Sequence, residues 1–160
     1  MNNFNKIYKI RRNLGSIKSL YFPQFPKKYN GTLPIISRSR LETKFMQWCD
    51  FNQNVINWGS ESFIVMYVDA SRNNTIHKYF IDFNVTIRET NGKLTKYLIE
   101  IKPYSQTRPP KLTKRTNPES YKKRMMEYIR NCCKWKAASA LAEKMGIKFL
   151  VITEKNLNVS

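Results

Sequence analysis

The chain has 160 residues, with 29 Lys and Arg set against 11 Asp and Glu, a formal net charge of +18 and a pI near 10.0. That length suits one domain and not comfortably two, and 41% hydrophobic residues exclude a wholly disordered chain. So large a positive excess points to a polyanion, and to nucleic acid before a membrane, because neither a lipidation motif nor an apolar run of roughly 20 residues is present.

Residues 1–36 predict an irregular basic arm preceding a domain over 37–160. Residues 1–40 hold nine basic residues and no acid, and Pro23, Pro26 and Pro34 with Gly15 and Gly31 break any period. The start, Met1-Asn2-Asn3-Phe4, lacks the apolar stretch of a secretion signal. Tyr21, Phe22, Phe25 and Tyr29 are expected to pack the arm against the domain. Next comes a helix, with Ser39 as N-cap and Leu41, Phe45, Trp48 and Cys49 on one face. Strands are expected at Val55–Trp58, Phe63–Val68, Lys78–Ile87 and Leu94–Ile101, with turns at Asp69–Thr75 and Asn91-Gly92, which makes an antiparallel meander. Residues 103–117 read as a Pro-rich basic loop. Asn117-Pro118-Glu119 then opens a long helix whose seam runs through Tyr121, Met125, Tyr128, Cys132, Trp135, Ser139 and Ala142. Gly146 ends that helix, and Lys148–Thr153 forms a last buried strand. The fold class is therefore α/β (α+β), a mixed sheet with an antiparallel meander flanked by helices.

Cys49, Cys132 and Cys133 are expected to be reduced and buried. With a single His there is no zinc-binding spacing and little prospect of a Ser-His-Asp arrangement. The chemistry is better sought among the acids. In Leu98-Ile99-Glu100-Ile101-Lys102 the period of two puts Glu100 and Lys102 on one face, and Asp82 interrupts the apolar run Tyr79-Phe80-Ile81-Asp82-Phe83 on the preceding strand. A buried carboxylate is costly unless it is paired or ligates a metal. Two carboxylates on adjacent strands suit a hard cation, and a nearby Lys suits phosphoryl charge or an attacking water. A plain ion pair between Glu100 and Lys102, and a partner Lys for Asp82, account for the same residues without catalysis.

Asp82, a gap of seventeen residues, then Glu100-Ile101-Lys102 resembles the PD-(D/E)xK nuclease motif. The order of parts agrees: an acid on the preceding helix (Glu42), a hairpin carrying the motif, a long helix and a strand. The chain is most similar to the end-cleaving subunits of Tn7-type transposases and the head-completion nucleases of T-even-like phages, over about Ser37 to Glu154. Its Ile81 stands where the motif is named for Pro.

The resemblance implies a restriction-endonuclease-like core and a Mg²⁺-dependent deoxyribonuclease, with Mn²⁺ as a possible substitute. Asp82 and Glu100 would be metal ligands, Lys102 the catalytic lysine, and Glu42 an auxiliary acid reaching the metal. Glu42 also stands three residues after Ser39, the spacing of a capping box. Lys111, Lys114 and Arg115 are expected to contact double-stranded DNA. The implied setting is the host cytoplasm and the virion, beside phage portal or neck proteins, where the enzyme processes DNA ends. The rival reading is a non-catalytic DNA-end plug or protector.

One geometric requirement follows. Asp82 and Glu100 can share an ion only if opposed strand residues sum to an even number. A two-residue Asn91-Gly92 turn makes that sum odd. The expectation is therefore a three-residue loop, Thr90-Asn91-Gly92, with Gly92 left-handed.

Overall fold

A helix N-cap, a long two-stranded ribbon and a parallel crossover dictate the architecture of the computed structural model, which describes residues 18–157. Strand β1 (Ser19–Tyr21) pairs antiparallel with β2 (Ile35–Ser37). Helix α1 (Arg40–Phe51) starts where the Ser39 side chain accepts the Glu42 backbone N–H, satisfying one of the helix's free donors. A four-stranded sheet follows in the order β3 (Val55–Asp69), β4 (Thr75–Arg88), β5 (Leu94–Ile101), β6 (Lys148–Ile152). The first three are antiparallel, and β6 returns parallel to β5 through helix α2 (Pro118–Lys144). A short helix α3 (Glu154–Leu157) ends the described residues.

The sheet has a core on each side. One core joins Ile35, Phe45, Met46, Trp58, Phe83, Val85 and Ile99, and α1 with the β1–β2 segment covers it. The other joins Val65, Tyr67, Tyr79, Ile81, Leu98, Ala138 and Ala142 beneath α2. Burying a large apolar side chain such as Trp58 or Phe83 contributes roughly 2–3 kcal/mol. Ile81 and Phe83 are two residues apart yet lie in different cores, so β4 passes from one to the other at Asp82.

Several elements depart from the sequence expectation. Residues 18–36 are not irregular: they carry β1, a 3-10 turn at Pro26–Lys28 and the start of β2, and Ile35 is fully buried. Asp50, itself fully buried, fastens this segment by accepting from the Tyr21 hydroxyl (3.1 Å) and the Gln24 and Phe25 amides (2.6 and 3.0 Å). A buried carboxylate collects local donors in this way. The part of the expected arm over residues 1–17 lies outside the described residues. The two runs expected at Val55–Trp58 and Phe63–Val68 form one strand, bulged where Ser60 pairs with Phe83 but Phe63 with Ile81. Glu61, at φ 49, occupies that bulge.

The inward stripe of α2 is displaced from the expected seam. Asn131, Ala138 and Ala142 are buried while Ser139 is exposed. Of the cysteines, Cys49 is buried and Cys132 and Cys133 are half-buried; all three are free. The end of β3 is tied to α2 by Asp69, which is fully buried and accepts from Arg130 Nε at 3.0 Å and from the Ser71 amide and hydroxyl.

Candidate active site

The β4–β5 hairpin sets the geometry. Its pairs run from Arg88↔Leu94 to Phe83↔Ile99, and the Glu89 amide donates to the Lys93 carbonyl at 2.8 Å. The loop is Thr90-Asn91-Gly92, closed by a Gly92 N–H to Glu89 carbonyl bond of 2.8 Å, with Gly92 at φ 81. The three-residue turn expected from the parity argument is the one present, and the paired residues sum to an even constant. The paired residues end at Phe83↔Ile99, so Asp82 and Glu100 are each the next residue beyond the last pair.

The ladder stops just before these two residues. Instead of a β4 carbonyl, the Ile101 amide meets the carboxylate of Asp82, with Oδ2 accepting at 2.8 Å. On its other edge β5 stays zipped to β6 through Ile101↔Ile152, and the Lys102 amide donates to the Ile152 carbonyl at 3.0 Å. One edge of β5 is fixed and the other is released from β4, so the ladder has a notch beside Asp82, bridged by its bond to the Ile101 amide.

Glu100 is 2% exposed and both its oxygens are engaged. Oε2 accepts from the Tyr79 hydroxyl at 2.6 Å, and Oε1 lies 2.9 Å from Lys102 Nζ. Burial pushes the Asp82 carboxyl up to about 8, helped by repulsion from Glu100, while Lys102 and the Ile101 amide pull it down. Burial works to deprotonate Lys102, but Glu100 and Asp82 outweigh it and hold the ammonium above its ordinary value. Burial and the Glu100 carboxylate together push the Tyr79 phenol up, so it stays a donor.

Of the expected site residues, the structure unites Asp82, Glu100 and Lys102. Glu42 is committed to the start of α1: it accepts from the Arg38 amide at 2.9 Å and from the Ser39 hydroxyl at 3.2 Å, close enough to raise Asp82 slightly. Among the described residues no three His, Cys, Asp or Glu side chains converge as a metal cluster. Lys111, Lys114 and Arg115 are exposed on the loop between β5 and α2. Glu61 pairs with Arg38 at the bulge beside Asp82.

Two neighbours carried no sequence assignment. Tyr79 supplies the Glu100 hydrogen bond. Lys134 of α2 lies 5.2 Å from the Tyr79 ring centre and 5.8 Å from that of Tyr67, and burial lowers its pKa despite Glu100. The signal for Lys134 was the spacing Asn131, Lys134, Ala138, the true inward stripe of α2. Once the helix phase was misread, that signal disappeared.

A mixed sheet flanked by helices, with Asp82, Glu100 and Lys102 gathered where a hairpin parts, is the architecture of a restriction-endonuclease-like nuclease domain. Residues 52–154 match the family described as TnsA-like endonuclease N terminal, and the chain belongs to that family. It is also 36% identical, over 141 residues, to the head completion nuclease of Enterobacteria phage T4, a match covering 86% of this chain and 91% of that protein.

The residues present fit the divalent cation that such nucleases use. One or two carboxylates are a common Mg²⁺ ligand set, and Mg²⁺ seldom receives a full cage of protein ligands.

Proposed function

We propose that the protein is a Mg²⁺-dependent deoxyribonuclease, with Mn²⁺ able to substitute, that hydrolyses phosphodiester bonds near the ends of double-stranded DNA during phage head completion. The observation carrying this reading is that the Asp82 carboxylate accepts from the Ile101 amide, between Glu100 and Lys102, at the point where β4 leaves β5. The name of the phage T4 relative supports the setting, and so does the +18 charge. Work in the filled head, next to portal or neck proteins, is part of the same proposal.

Asp82 and Glu100 would hold the metal, which supplies Lewis acidity at the phosphate and a more acidic bound water. The resting carboxyl of Asp82 is largely protonated near neutral pH, so cation binding there releases a proton. Lys102, kept cationic by Glu100, places an ammonium where charge grows on the phosphoryl oxygens; in that state it is a donor and not a base. Tyr79 fixes one oxygen of Glu100 and leaves the carboxylate a single orientation. Glu42 serves as the helix cap and as an outlying negative charge. Lys111, Lys114 and Arg115 contact the DNA backbone, which positions the duplex without reading sequence.

A binding-only plug remains the rival. Its weakness is that DNA binding alone gives no use for a half-buried Asp82 and a buried Glu100 paired with Lys102, gathered at one point of the sheet. The test is cleavage of linear and supercoiled DNA with Mg²⁺, Mn²⁺ or EDTA, wild type beside Glu100→Gln. Metal-dependent cutting lost in Glu100→Gln supports the enzyme. Undiminished cutting by the variant, or none by either protein under any metal, overturns it.

A further inference from the structure

Two residues past Lys102, the chain enters a 3-10 turn at Tyr104–Thr107, and the loop beyond it faces the first half of α2 across a cleft of about 690 Å³. That volume lies within the range of ligand clefts, roughly 300–1,000 Å³. Arg108, Lys111 and Arg124 stand on its rim, and Tyr104 and Tyr128 are on its walls. Asn131 lines its depth.

Asn131 is the informative residue. It is the first fully buried residue of α2 and only 5% exposed, yet among the described residues its side-chain amide makes no hydrogen bond. The amide is open to the water of the cleft and is therefore free to meet a ligand there. An amide offers one acceptor and two donors in a plane, the pattern that matches the edge of a nucleobase.

We propose that this cleft takes an unpaired nucleotide of the DNA strand, with the base edge on Asn131, the base face against Tyr128, and the flanking phosphates on Arg108 and Arg124. A duplex cannot use the site, because its bases are stacked and paired while the amide lies below the rim. An unstacked nucleotide reaches it, and aromatic contact is the usual way to hold one. Tyr104 is already flanked, with Arg108 at 4.8 Å and Lys155 at 3.4 Å from its ring centre, so it forms a fixed wall. Glu127, the one acid lining the cleft, keeps it from being a general sink for phosphate. The inference rests on the nuclease reading for its substrate and deepens it. The enzyme would engage ends or junctions carrying single-stranded tails, with the tail leading away from the notch.

The experiment is fluorescence anisotropy on the full chain in EDTA, so the result does not depend on whether the protein cuts. The probes are a labelled blunt duplex and the same duplex with five unpaired nucleotides, of either polarity and of thymidine or adenosine. Wild type should bind one tailed duplex about tenfold more tightly than the blunt one. Asn131→Ala and, separately, the exposed Arg124→Ala should shrink that ratio toward unity. As Asn131→Ala can disturb packing, the Asn131 side-chain amide resonances of the wild type are also followed. They should move with dTMP or dAMP and stay put with inorganic phosphate. Equal wild-type affinity for blunt and tailed DNA overturns the assignment. So does an unchanged tail preference in both variants, or an amide that responds to phosphate alone.

Discussion

Replacing Asp82 by Asn should stabilise the metal-free protein while disabling it. In the fold the carboxyl is raised to about 8 by burial and by Glu100, against 3.8 for the free side chain. A group raised in the folded state contributes stability that is intact below the unfolded value and is lost as pH climbs through the folded one. For Asp82 the loss therefore runs from about pH 4 to pH 8, and one pKa unit corresponds to about 1.4 kcal/mol. Between pH 5 and pH 9 the ionising carboxyl costs the wild type up to about 4 kcal/mol, reduced to about 2 kcal/mol once water and side chains relax around it. Asn keeps an acceptor for the Ile101 amide and has nothing to ionise. Urea unfolding at pH 5 and pH 9 in EDTA should give similar stabilities at the lower pH, and at the higher pH an advantage of about 2–4 kcal/mol to Asp82→Asn. Millimolar Mg²⁺ should close the gap by stabilising the wild type alone. An Asp82→Asn protein that is weaker than wild type at pH 9, or stronger by the same amount at both pH values, would refute the reasoning.

Lys102→Ala should cut the cleavage rate by about 10²–10³ with metal present, and Lys102→Arg should restore only part of it; full activity in the Ala variant would remove Lys102 from the site. Tyr79→Phe deletes the 2.6 Å bond to Glu100, and should cost about 1–2 kcal/mol of stability together with weaker metal affinity by calorimetry; unchanged affinity would show that Glu100 needs no such partner. Asp69→Ala strands Arg130 and the Ser71 donors, so thermal unfolding should reveal a loss of about 3 kcal/mol, and a loss under about 1 kcal/mol would mean that α2 is held by its apolar stripe alone. Changing Lys111, Lys114 and Arg115 together to Ala should flatten the salt dependence of duplex binding by about 2–3 in log–log slope, whereas an unaltered slope would place the DNA elsewhere.

The fold class and the grouping of three candidate residues were both legible in the sequence, and several details around them were not. The positions of Asp82, Glu100 and Lys102 follow from strand periodicity, and the need for both carboxylates on one face determined even the loop length. Tyr79 and Lys134 were not legible, because their roles depend on how β4 changes cores and how α2 is rotated. The α2 stripe misled because Tyr128, Cys132 and Trp135 look like core, while the residues actually buried are the small Ala138 and Ala142 and the polar Asn131. The β1–β2 segment was hidden by its prolines. What orders it is a buried acid on a different element, Asp50, and no local pattern signals such a contact. On β3, Ile64, Met66 and Val68 are half-exposed, so an apolar alternation announced the strand without saying which face water would see.

Asp82 lies where β4 leaves the core under α2 and enters the core under α1, and Glu100 is held from the first of these cores by Tyr79. Neither half of the molecule can therefore assemble the carboxylate pair by itself. A nascent or partly unfolded chain, basic enough to cling to any DNA it meets, has no means of cutting it. On the proposed reading, folding is the safety catch, and cleavage awaits completion of both layers.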